Sequence, residues 1–215
     1  MYTKAIAARC HGRYLVAIPE LSRATLVGFH GYKESAATQM DVLRRISGDR
    51  PFGLISIQGL HRFYARGGDV VASWMTREDR EHAIADNVDY VSKVLAAVAL
   101  EFGITRPLIY VGFSQGVAMA FRAATLVQRP CDGLIALASD VPPDVAPLAA
   151  SLPAVLYGRG DSDDLYPAAQ AAKDLALLRA AGVQVREQTF AGGHEWSAAF
   201  IETSTAFVDE RISSA

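Results

Sequence analysis

The chain has 215 residues, 51% of them apolar and 20% charged, with a formal net charge of -2. That length suits one large α/β domain with a substantial core, and the near-neutral charge excludes the basic footprint of a nucleic-acid binder and the excess of a disordered acidic tail. Cys10 and Cys131 are far apart and outside any Cys-x-x-Cys spacing, which argues against a disulfide scaffold or a zinc knuckle; both are expected to be reduced.

The N-terminal run, interrupted by Arg9 and His11, is too short and polar for a secretory signal. No window reaches the roughly 18 uncharged apolar residues of a membrane span, so a cytoplasmic protein is expected. Residues 4–9 and 14–18 are apolar runs around Cys10-His11-Gly12-Arg13 and predict an antiparallel hairpin at a sheet edge. Residues 24–29 predict a strand running into His30-Gly31-Tyr32, and from Ser35 a helix follows with Met40, Leu43 and Ile46 as its buried stripe. After a short strand at 54–57, residues 58–74 lack periodicity and hold Gly59, Gly67 and Gly68, which predicts a long loop. Thr76-Arg77-Glu78-Asp79 has the form of a capping box, and Ile84, Val88, Val91, Leu95, Val98 and Phe102 follow at helical spacing until Gly103 ends the helix.

Next come a strand from Leu108, a helix at 117–127, strands at 133–138 and 152–157, a helix at 168–180 and a strand at 183–190. A helix at 196–211, anchored by Phe200 and Phe207, closes the chain. Pro142, Pro143 and Pro147 mark a short loop, not a domain boundary. Alternating strands and helices predict a mostly parallel sheet covered on both faces, in a single domain over residues 1–215 without a large lid.

Within this pattern Gly112-Phe113-Ser114-Gln115-Gly116 lies between an apolar strand and an Ala-rich helix, the context of a nucleophile elbow. The bare Gly-x-Ser-x-Gly pattern turns up by chance in roughly one chain in ten of this length, so the flanking elements carry the reading. A serine hydroxyl needs a base to take its proton, and the base needs a third group to hold its tautomer. In such sheets ligands bind at the C-terminal ends of strands, which directs the search to two loops, 158–164 and 191–194. His194 is the best base of the five histidines, because His82 falls on a helix and His11 at a hairpin tip. The acid is open among Asp161, Asp163 and Asp164. The backbone amides of Gln115 and Tyr32 are the candidate oxyanion donors. His61, Phe63, Tyr64, Phe113 and Trp196 are candidates for the substrate pocket; Arg62 and Arg66 beside them are potential partners of an acidic substrate group, with solvated surface charges as the plainer reading.

With these residues assembled, the chain resembles the α/β-hydrolase superfamily, and within it the phospholipase/carboxylesterase group that includes the acyl-protein thioesterases. Gly112-Phe113-Ser114-Gln115-Gly116 matches that group's Gly-Phe-Ser-Gln-Gly elbow, His30-Gly31 its oxyanion loop, and Gly193-His194 the Gly-His that carries its base. Residues 159–167 align with its His-Gly-x-x-Asp-x-x-Val-Pro, which places the triad acid at Asp163. The departures are Val117 for a further Gly, Arg159 for the His of the acid loop, and Tyr32-Lys33-Glu34 where the group tends to have Leu-Gly-Asp. The resemblance implies a serine hydrolase of carboxylic esters or thioesters that needs no cofactor and no metal. Its partner is a small-molecule ester or thioester. The oligomeric state is open, a homodimer included. A dienelactone-hydrolase-like small-ester hydrolase is the alternative, followed by a non-catalytic module that keeps the fold.

Overall fold

The central strands are apolar along their whole length because both of their faces are covered, and the computed structural model, which describes residues 1–214, shows what covers them. In chain order the elements are β1 (Arg13–Ala17), β2 (Thr25–Phe29), α1 (Ala36–Ser47), β3 (Gly53–Gln58), β4 (His61–Tyr64), β5 (Val70–Ser73), α2 (Arg80–Glu101), β6 (Leu108–Phe113), α3 (Gln115–Leu126) and β7 (Gly133–Leu137). A 3-10 turn (Ala146–Ser151), β8 (Ala154–Gly160), α4 (Ala168–Ala180), β9 (Val185–Phe190) and α5 (Ala198–Ser213) complete the chain. Seven strands form one sheet in the order β1-β3-β2-β6-β7-β8-β9, parallel throughout except for β1, which runs antiparallel to β3.

Side chains alternate across each strand with a period of two, so neighbours along β2, β6 and β8 serve opposite layers. Val27, Phe29, Tyr110 and Val155 pack with Val91, Leu95 and Val98 of α2 and with Phe121 of α3. Leu26, Ile109, Val111 and Leu156 face the other way, against Met40, Leu43 and Ile46 of α1 and Phe200 and Phe207 of α5. The parallel register brings the ends of β2, β6 and β8 to one edge, where the loops carrying His30, Ser114 and Asp163 begin.

Three local expectations are corrected. The antiparallel edge is present, but β1 pairs with β3, and residues 4–9 lie exposed outside the sheet. Residues 58–74 are not a plain loop: β4 and β5 pair within them as a separate two-stranded hairpin, with Phe63 opposite Val71. No capping box forms ahead of α2, because Thr76 Oγ1 donates to Glu78 O at 3.2 Å and Asp79, at φ 47°, begins the helix without a side-chain cap. Cys10 is exposed and Cys131 half-buried, and burial pushes the Cys131 thiol up to about 12.

One polar contact crosses the apolar layer behind α3. Arg122 is completely buried and donates through Nε and Nη2 to the Asp144 carboxylate at 2.7 and 2.8 Å. That hydrogen bond is the main reason the Asp144 carboxyl is held below its usual range. A depressed carboxylate stabilises the fold fully above its unfolded value of about 3.9, and the contribution is lost as the pH falls through the lower folded value. Asp144→Ala, which strands a buried guanidinium, is expected to lower unfolding free energy by about 3 kcal/mol at neutral pH. The difference from wild type is expected to shrink below about pH 4. Urea unfolding followed by circular dichroism checks both; a variant as stable as wild type at pH 7 contradicts the assignment.

Candidate active site

Ser114 sits between the end of β6 and the first residue of α3 at φ 49°, ψ -123°, a conformation that non-glycine residues adopt only at a cost of about 1–3 kcal/mol. Its backbone N–H is held by Leu137 O at 2.9 Å. The turn depends on Gly116, where an added Cβ would lie 2.0 Å from Phe29 O and 2.6 Å from His30 O. Without a side chain there, α3 starts directly against the end of β2, which brings the elbow beside the loop after that strand.

That loop is fastened from several sides. His30 is fully buried; its Nε2 accepts from the Gly59 N–H at 3.0 Å, which puts the ring proton on Nδ1, where it donates to Gly31 O at 2.7 Å. Burial lowers the His30 pKa to about 4, so the ring stays neutral. Trp74 stacks on it at 5.2 Å between centroids and donates from its indole N–H to His30 O at 2.9 Å. Lys33 N–H and Glu34 O bond to both sides of Ala72 in β5, at 3.1 and 2.8 Å. Glu34 Oε2 accepts from the Gly31 N–H at 2.7 Å. Burial raises the Glu34 carboxyl above its usual range, against the opposing pull of that hydrogen bond and of nearby His194. Among the described residues, the Tyr32 and Gln115 amides have no acceptor.

The Gln115 side chain ties the elbow to the connection after β5: Oε1 accepts from Trp74 N–H at 2.9 Å and Nε2 donates to Met75 O at 3.0 Å. On the other side of the sheet's centre, the loops after β8 and β9 meet. Gly160 is needed there, because a Cβ would fall 2.3 Å from both Gly192 O and Gly193 O. Asp163, 4% exposed, accepts from His194 Nδ1 through Oδ2 at 2.9 Å and from the Leu165 and Tyr166 amides through Oδ1, each at 2.9 Å. Of the three candidate acids, Asp163 is the one that meets His194. Asp161 is exposed and accepts from the Gly192 N–H at 3.1 Å, the main cause of its lowered pKa, while Asp164 is exposed.

His194 Nε2, on the far side of the ring, is enclosed and unpaired among the described residues. No Ser114–His194 hydrogen bond is formed in the structure; the ring is set beside the elbow by Phe113, 5.0 Å away between centroids. Trp196 packs on Phe113 at 6.0 Å and on Phe200 at 5.7 Å. Of the hairpin candidates, Phe63 stacks on Tyr32 at 5.8 Å, whereas His61 and Tyr64 are exposed. Val117 is buried in the core beneath the elbow, and Arg159 reaches Asp161 O at 3.3 Å.

Sequence reasoning did not find what holds the acid loop. Tyr166, whose amide serves Asp163, has its hydroxyl 2.6 Å from both Asp174 Oδ2 and the Tyr157 hydroxyl, and Tyr157 also reaches Ser139 O at 2.6 Å. Burial raises the pKa of both phenols. The signal was a tyrosine where the matching motif has Val, followed eight residues later on α4 by a buried aspartate. Among the described residues no cluster has the make-up of a metal site, and no helix is long and apolar enough to cross a membrane.

Solved structures with this architecture include esterase PE8, at 25% identity and a TM-score of 0.73, covering 95% of this chain and 100% of its own. The Bacillus cereus carboxylesterase shares 17% identity at a TM-score of 0.76, with 93% and 94% covered. Zea mays acyl-protein thioesterase 2 shares 18% at 0.72, with 94% and 100% covered. A search of the curated proteins returned no match. The phospholipase/carboxylesterase family model matches residues 16–212, which span the elbow, both loops that meet at Asp163 and His194, and six of the seven strands of the sheet in full: the chain belongs to the phospholipase/carboxylesterase family, within the α/β hydrolases.

Proposed function

We propose that the protein is a serine hydrolase cleaving carboxylic esters or thioesters through Ser114, His194 and Asp163. The observation that carries this reading is the pairing of buried Asp163 with His194 Nδ1 at 2.9 Å, next to a serine held at positive φ on a strand-to-helix turn. Asp163 fixes the tautomer with Nδ1 protonated, which leaves the Nε2 lone pair to accept the Ser114 proton. The serine oxygen then attacks the carbonyl carbon, and the electron pair moves onto the carbonyl oxygen. The Tyr32 and Gln115 amides are the donors for that oxyanion, each of a kind whose removal costs roughly 3 kcal/mol. The Nε2 proton passes to the departing alcohol or thiol, leaving an acyl-serine. Water attacks that intermediate by the same steps, with His194 again as base. Serine–base contacts are often looser without substrate, so the open Ser114–His194 pair is compatible with this chemistry.

Ser114→Ala is expected to lower p-nitrophenyl ester turnover by at least about 10³-fold while leaving the circular dichroism spectrum unchanged. A variant that keeps wild-type activity rules out the assignment. Tyr166→Phe keeps the amide on Asp163 but removes the hydroxyl that anchors the loop. A fall in kcat of about tenfold, equivalent to ~1.4 kcal/mol, is expected with KM little changed. Wild-type kcat in that variant shows the anchor to be dispensable for Asp163.

A further inference from the structure

A cavity of about 340 Å³ opens at the sheet edge where β1 meets β3. Arg13, Arg62, Gln58 and Ser35 line it with polar groups and Leu15 and Val70 with apolar ones, and no carboxylate lines it. Arg13 and Arg62 are exposed, and neither is within ion-pair distance of an acid among the described residues. Arg62 spends one N–H on His11 O at 3.2 Å and keeps the rest of its fork. Gln58 is only 5% exposed; its Oε1 accepts from the Ala36 N–H at 2.6 Å, and its amide N–H₂ has no partner among the described residues. A half-apolar hollow with two guanidinium groups, a buried amide donor and no anion is complementary to an anionic group.

The sheet order sets the cavity relative to the proposed site. The loops with Asp163 and His194 follow β8 and β9, on one side of β6 and its serine, whereas Gln58 and Arg13 sit on the other side, paired in register across β3 and β1. His194 hands its proton to the leaving group, which therefore lies toward β8 and β9, and an acyl portion directed away from His194 passes the oxyanion loop toward β3 and β1. From β6 to β3 is two strands and to β1 three, a distance of about 10–14 Å. The oxyanion loop stands between, with Tyr32 stacked on Phe63 of the same hairpin that carries Arg62.

We infer that the Arg13–Arg62–Gln58 cavity binds an anionic group at the far end of the acyl chain, so that the substrate class is esters or thioesters of medium-length acids bearing a terminal carboxylate. The inference rests on the serine-hydrolase reading for its orientation, and its test separates the two. Mono-p-nitrophenyl esters of adipic, suberic and sebacic acid are compared with p-nitrophenyl hexanoate, octanoate and decanoate, and the kcat/KM ratio at matched length is read. A ratio above ten for at least one length is expected in wild type, falling toward one in the Arg13→Ala/Arg62→Ala double variant and with rising salt, as charge screening requires. In parallel, suberate binding to Ser114→Ala is measured by calorimetry, without any chemistry, and is expected to weaken at least tenfold when both arginines are removed. Hydrolysis of the uncharged esters with a ratio at or below one, or with a preference that survives the double variant, overturns the cavity's role and leaves the hydrolase standing. Suberate binding that depends on the arginines in a protein that turns over no ester supports the cavity and overturns the hydrolase. No suberate binding and no ester turnover overturn both.

Discussion

Helix α3 can begin at Gln115 because nothing larger than hydrogen projects from residue 116 toward the carbonyl oxygens of Phe29 and His30. This close approach is the constraint on which the site depends. It forces Ser114 into a positive-φ turn at the end of β6, where the residue is half-buried, and starts α3 beside the loop that carries Tyr32. The strain of about 1–3 kcal/mol at Ser114 persists because the surrounding layers over-determine the turn. Leu137 O holds its amide, the Gln115 side chain is fastened to residues 74 and 75, and α3 is packed into the core behind it.

The two flanks of the elbow are built on different principles. On the side of the Tyr32 loop, neutral buried groups define the geometry: His30 is kept uncharged by burial and spends both ring nitrogens on backbone, and Trp74 covers it. On the acid side, two loops lock together around Gly160, and the phenols of Tyr157 and Tyr166 with Asp174 anchor the segment whose amides hold Asp163. On both sides a buried group whose charged form burial disfavours, His30 on one and the Tyr157 and Tyr166 phenols on the other, helps hold the loop in place.

Much of this was legible in the sequence because the signals were local. Apolar runs marked β2, β6 and β7, the helical stripe of α2 ended at Gly103 as expected, and the bounds of α4 were read without error. Gly-Phe-Ser-Gln-Gly marked the elbow, and His194 stood out by its place after a late strand. What was not legible depends on pairing at a distance. The partner of β1 is a strand 36 or more residues away, a separation that no hairpin pattern encodes. The β4–β5 hairpin lacks a two-residue turn signal, its strands being linked by five residues, and so read as loop. Position alone left Asp161, Asp163 and Asp164 open; the motif resemblance pointed to Asp163, and the fold shows that it is the one facing His194. The roles of Trp74, Glu34 and Tyr166 likewise appear only when the chain has folded, since each acts on backbone or side chains contributed by other loops.

The central claim is that Ser114 is a nucleophile activated by His194. Incubation with a fluorophosphonate followed by intact-mass analysis and peptide mapping tests it without any assumption about the natural substrate. The account predicts a single adduct on Ser114, formed by wild type and not by a His194→Ala variant of the same fold. Folded wild-type protein that remains unlabelled, or label that maps to another residue, would mean that the elbow is a structural turn and that the family's chemistry has been lost from this chain.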